Sequence, residues 1–86
     1  MANNDTNYLN KSDYTADQWH EIEEGLHQGL DVALYAKPEF LAIQMMQIRI
    51  GLMEKLPVQY YASDEYDWFQ MEEIRKGLKS KILTSY

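Results

Sequence analysis

The chain has 86 residues, of which 45% are hydrophobic, and no cysteine. That length sets one domain with a core near the lower limit for independent stability, and the hydrophobic share excludes a disordered chain. The net charge of −6 argues against a direct grip on nucleic acid, which needs clustered Lys and Arg against phosphates, and the lack of cysteine excludes disulfides and thiolate metal sites.

The first residues, MANNDTNYLNKSD, have neither the basic start nor the apolar core of a secretory signal. No apolar run approaches the roughly 20 residues of a membrane helix. The expectation is a cytoplasmic protein with no membrane partner. Residues 1–7 are polar and Asn-rich, and read as a disordered tail. From residue 8 to 86 the chain reads as one helical-repeat domain.

Three copies of one motif fill that domain, at 14–39, 40–65 and 66–86. Tyr14, Phe40 and Tyr66 open them with a spacing of 26 residues. Gln18, Gln44 and Gln70 follow in phase, then Ile22, Ile48 and Ile74, then Gly25, Gly51 and Gly77. Leu26, Leu52 and Leu78 keep the same phase, as do Leu30, Leu56 and Ile82. A fixed period of this size marks a repeat architecture, in which each unit covers the apolar face of the next.

The first long helix is predicted from Ala16 to Gln28, because Trp19, Ile22 and Leu26 recur at helical spacing. Thr15 is its cap, Gln18 completes a capping box, and Tyr14 staples Trp19. Gly29 supplies a left-handed closing residue. The connectors DVALYAKPEF and PVQYYASDEY read as short helices of one to two turns, with Asp31 as a cap and Pro57 at a first helical position. Strands are the alternative there, since Val and Tyr favour them, and would give βαβ-like repeats.

The second long helix keeps Gln44 and Met45 but has Leu41 at the cap, so its start is weaker by about 1 kcal/mol. The third runs from Trp68 to Lys81, with Asp67 as cap, Gln70 in the box and Tyr66 stapling Met71. Lys55 and Lys81 stand where the first copy has Gly29, and are expected to neutralise the negative helix end. The three in-phase glycines suggest a helix crossing at which two backbones approach closely. The fold class is therefore all-α: three long helices with short connectors, stacked as a small array. Its expected core is Trp19, Ile22, Leu26, Leu30, Met45, Ile48, Leu52, Leu56, Met71, Ile74 and Leu78.

The charge is uneven. Residues 1–43 hold 8 acids and 2 bases, while residues 44–86 hold 6 of each. Asp17, Glu21, Glu23 and Glu24 concentrate the acid on the first helix and are candidates for binding a basic partner surface. Arg75, Lys76, Lys79 and Lys81 make the third helix basic, a pattern that permits head-to-tail homo-oligomers. Of the doublets Tyr60/Tyr61 and Trp68/Phe69, one member each should be exposed, and Tyr60, Trp68 and Phe69 are candidates for partner contact. His20 and His27 lie seven apart in HEIEEGLH, which is not the zinc-binding HExxH pattern. No phosphate loop or nucleophile triad is recognisable, so neither a metal, a cofactor nor catalysis is expected.

Residues 66–78, YDWFQMEEIRKGL, carry a further signal. With F-x-x-x-Q-M-x-x-I-R-x-G-L at 40–52 and Gly25-Leu26 with Gly29-Leu30-Asp31-Val32 in the first copy, they resemble a short helical repeat. It belongs to uncharacterised proteins of gut and other Gram-positive bacteria, often near mobile-element genes. Trp19 and Glu23 depart from its Met and Arg, and Lys55 and Lys81 from its Gly. The resemblance implies mobile-element origin and no particular activity. Together with the acidic first repeat it gives the functional expectation: a non-enzymatic protein-interaction protein. Its most concrete form is an inhibitor of a host defence complex, such as a CRISPR-Cas nuclease, acting as anti-CRISPR proteins do on a basic nucleic-acid-binding surface. The alternative is a self-associating scaffold module. A metal-binding or catalytic protein working through His20 and His27 is the third class.

Overall fold

Two of the three long helices begin where the cap side chain supplies an acceptor for a free amide. The computed structural model describes residues 8–84, and in it three α-helices follow one another: α1 (Ala16–His27), α2 (Ala42–Met53) and α3 (Trp68–Thr84). At α1, Gln18 N–H donates to the Thr15 hydroxyl at 3.1 Å and Thr15 N–H donates to Gln18 Oε1 at 2.7 Å. This is the reciprocal capping box. Asp67 and Gln70 repeat it at α3, at 2.8 and 2.9 Å. Leu41 has no side-chain acceptor, so α2 keeps only half of it, the 2.7 Å bond from Leu41 N–H to Gln44 Oε1. Tyr14 staples Trp19 with ring centroids 5.8 Å apart.

The first two helices end alike. Gly29 N–H reaches Leu26 O at 3.1 Å and Leu30 N–H reaches Gly25 O at 2.9 Å, with Gly29 at φ +71°. Lys55 and Leu56 make the same two bonds to Leu52 and Gly51, at 3.0 and 2.9 Å, with Lys55 at φ +60°. Both are Schellman closures. Lys55 therefore takes the left-handed conformation itself, which corrects the expectation that it acts only through its charge. Lys81 does not take that conformation, because α3 stays helical through it to Thr84 and keeps it as the basic residue of the last turn.

The connectors are single 3-10 turns, Val32–Leu34 and Val58–Tyr60, at the short end of the expected one to two turns, and another such turn, Lys11–Asp13, precedes α1. Asp31 makes no side-chain cap and Pro57 sits one position before its turn. No strand occurs among the described residues, so the βαβ-like alternative falls. The proposed tail, residues 1–7, lies outside the described residues.

The helices form an array in which α1 packs on α2 and α2 on α3, with overall extents of 42 × 32 × 16 Å. Ile22, Met45, Ile48 and Met71 are fully buried, as expected, and Leu56 is buried. The rest of the core comes from the connectors: Val32, Tyr35, Ala36, Phe40, Val58 and Tyr61. Trp19, Leu26, Leu52, Ile74 and Leu78 pack against this core but are only partly buried, and Leu30 is half-buried. Among the described residues no helix is long and apolar enough to cross a membrane.

Candidate protein-interaction site

One joint, used twice, holds the repeats together and decides which side chains remain for a partner. Tyr35 is fully buried, and its hydroxyl donates to Glu21 O at 2.6 Å. Arg49 Nε donates to Oε1 of the same Glu21 at 2.7 Å. One residue of α1 is thus gripped by its backbone and by its side chain, from positions fourteen apart. The second joint repeats the geometry. Tyr61 donates to Gln47 O at 2.7 Å and Arg75 Nε to Gln47 Oε1 at 3.1 Å.

The glycines make room for this grip. A Cβ on Gly25 would overlap the Tyr35 hydroxyl and meet Val32 Cγ1 at 2.7 Å. On Gly51 it would overlap the Tyr61 hydroxyl and meet Val58 Cγ1 at 2.8 Å. These glycines therefore seat a tyrosine from the following connector, and do not mark the close crossing of two helix backbones that their spacing suggested. Burial raises the pKa of both phenols above their ordinary value near 10.

Two further contacts recur in register. Gln18 Nε2 donates to Phe40 O at 2.6 Å and Pro38 O at 3.1 Å, and Gln44 Nε2 to Tyr66 O at 2.7 Å. Arg49 also reaches Gln28 Oε1 at 3.3 Å. Its counterpart Arg75 reaches Glu54 at 3.3 Å, and Lys79 bonds the same carboxylate at 2.7 Å. The Lys79 hydrogen bond, aided by both cationic charges, holds the Glu54 carboxyl below its usual range.

The four acidic candidates separate. Glu21 is buried and paired to Arg49, so it is a joint residue and not part of a partner surface. Asp17 and Glu23 are exposed and Glu24 is half-buried. Glu23 occupies the register of Arg49 and Arg75, whose side chains reach back into the preceding repeat. His20 and His27 are exposed, and no cluster of metal-ligating side chains occurs among the described residues.

Tyr60 is 64% exposed while Tyr61 is fully buried, so that doublet divides as expected. Trp68 and Phe69 do not divide: they are 40% and 55% exposed and stack edge to face at 5.8 Å. Phe69 also lines an open groove of about 310 Å³ with Tyr66, Gln70, Glu73 and Ile74. Reasoning from the sequence missed this groove and the seating of Tyr35 and Tyr61 on the glycines. The available signal was the ten-residue offset from Gly25 to Tyr35, repeated from Gly51 to Tyr61. Against known protein families, curated proteins and solved structures, the chain shows no match.

Proposed function

We propose that this chain is a non-catalytic protein-binding module that acts in the cytoplasm and engages a basic partner surface with its first repeat. The observation that carries this reading is the charge division, 8 acids against 2 bases in residues 1–43 beside an even balance in the remainder. Asp17 and Glu23 are exposed on α1 with Glu24 beside them, and Glu23 places acid where the later repeats use arginine to reach inward. An acidic helix on a small rigid array suits a basic channel that otherwise holds nucleic acid, since complementary potentials steer encounter and fix orientation. Its concrete form is inhibition of a nucleic-acid-guided nuclease, as anti-CRISPR proteins do.

The test is DNA binding by a panel of RNA-guided nuclease complexes from Gram-positive bacteria, with and without the chain. Loss of DNA binding that is relieved by salt, and abolished by the triple variant Asp17→Lys, Glu23→Lys, Glu24→Lys, supports the reading. Inhibition undiminished in that variant, or no inhibition of any complex, rejects it. A second reading, a scaffold module that recruits proteins through its helix faces, rests on the exposed Trp68 and Phe69.

A further inference from the structure

The last helix presents a joint face that the first two helices have filled. Gln18 and Gln44 are buried, whereas Gln70 in the same register is exposed. Glu21 and Gln47 are buried under an arginine, whereas Glu73 is exposed, with no cation within ion-pair distance among the described residues. Ile22 and Ile48 are fully buried, whereas Ile74 is half-buried in the wall of the open groove. Gly25 and Gly51 each carry a tyrosine hydroxyl, whereas a Cβ on Gly77 would meet nothing within 4 Å. Four registers change together, so the α3 face repeats the acceptor side of a joint.

Among the described residues no segment folds back over this face as at the earlier joints. There, the left-handed residue Gly29 or Lys55 ends the helix and swings Val32 and Tyr35, or Val58 and Tyr61, over the glycine. Lys81, in that register, remains helical. A second copy placed head to tail does not supply the missing groups either. Its first repeat carries Leu9 in the tyrosine register and Glu23 in the arginine register, and Glu23 would oppose Glu73. Its other tyrosine–arginine sets, Tyr35 with Arg49 and Tyr61 with Arg75, are engaged internally.

We propose that the face formed by Gln70, Glu73, Ile74 and Gly77 is a docking site for a partner polypeptide bearing one more unit of this repeat, with a tyrosine and an arginine fourteen residues apart. The tyrosine lies over Gly77 and donates to Glu73 O. The arginine pairs with the Glu73 carboxylate, and a main-chain carbonyl of the partner receives Gln70 Nε2. Hydrogen-bond and charge complementarity, shown twice within the molecule at Glu21 and Gln47, specify this occupant. The site is separate from the acidic surface of α1.

The probe is a synthetic peptide of residues 57–84 with Gly77→Ala, which carries Tyr61 and Arg75 in that register and blocks the peptide's own copy of the face, titrated into the full chain by calorimetry. Saturable one-to-one binding is expected. Gly77→Ala or Glu73→Lys in the full chain should each weaken it at least about tenfold, as should Arg75→Glu in the peptide. Gly77→Ala keeps the test clean, because its Cβ meets open space in the free chain. The triple lysine variant of α1 should bind the peptide unchanged, so this proposal and the acidic-surface reading can fail separately. Absence of binding, or binding indifferent to Gly77→Ala and Glu73→Lys, overturns the proposal. The latter is what exchange of the peptide for the chain's own third repeat would give.

Discussion

Arg49 Nε donates to Glu21 Oε1 at 2.7 Å, and both side chains are largely withdrawn from solvent, at 14% and 11% exposure. In the next joint Arg75 makes the corresponding bond to a neutral Gln47 at 3.1 Å. The molecule thus contains the charged and the neutral version of one contact. Removing one partner of a buried ion pair strands the other charge, a loss of about 3 kcal/mol. Arg49→Ala should therefore destabilise by about 3 kcal/mol. Glu21→Gln, which rebuilds the neutral version, should lower stability by about 1 kcal/mol or less. Urea denaturation midpoints at constant m-value check both, and equal losses would contradict the account.

The three in-phase glycines should respond differently to the same methyl group. Gly25→Ala and Gly51→Ala force a tyrosine hydroxyl off its carbonyl and crowd a valine, and should destabilise by about 2 kcal/mol each. Gly77→Ala meets no neighbour and gains helix propensity, so it should stabilise by up to about 1 kcal/mol. Thermal unfolding of the three single variants is sufficient to see the change of sign.

Two helix ends fall short of their counterparts and can be repaired. Lys55 holds the φ of +60° that Gly29 supplies without a Cβ. Lys55→Gly should raise stability by about 1 kcal/mol. Leu41 is exposed and caps nothing with its side chain. Leu41→Asp, copying Asp67, should add about 1 kcal/mol by accepting from Gln44 N–H. The sites are far enough apart in the fold that the double variant should be close to additive. A Leu41→Asp variant no more stable than the parent would show that this end is satisfied otherwise.

Alkaline stability should depend on the two buried phenols. Their folded pKa values lie above the ordinary value of 10.0, so the neutral forms stabilise the fold fully below that pH. As pH rises past about 10, the unfolded chain ionises these tyrosines first, and stability falls. Tyr35→Phe and Tyr61→Phe should each lower stability at neutral pH by about 1–2 kcal/mol, because a buried carbonyl loses its donor. Each should also make the decline between pH 10 and 11.5 shallower. A slope unchanged from the parent would mean that these hydroxyls do not stay neutral in the fold.

On the acid side, Glu54 has the opposite sign. Its folded pKa is depressed, so its contribution is present above the unfolded value of 4.5 and is lost as pH falls through the folded one. The carboxyl is partly solvated, which keeps the effect small. Glu54→Gln should flatten the stability profile below pH 4.5 and leave the alkaline limb untouched, as circular dichroism melts over that range would show.

The helix starts were legible because their causes are local. Thr15 with Gln18, and Asp67 with Gln70, are three residues apart, and their bonds need nothing from the rest of the fold. The weak start at Leu41 could be read in the same way. The glycines could not. Gly25 faces a residue ten positions on, across a left-handed turn, and periodicity alone does not distinguish a ring from a helix backbone as its neighbour. The candidate acids were visible as a composition. Whether Glu21 faced solvent or Arg49, twenty-eight residues away, was not.

The sequence by itself determined the 26-residue repeat, its three long helices, the capped starts of α1 and α3, and the acidity of the first copy, while strands in the connectors stayed open until the structure showed turns there. Periodicity, caps and net charge are properties of neighbours along the chain, so they survive without a fold. Tertiary structure alone decided that Glu21 is a joint residue, that Tyr35 and Tyr61 are core, and that the same registers on α3 remain exposed. Burial depends on what the next repeat brings from ten to twenty-eight residues away. One motif written three times therefore yields two filled joints and one open face.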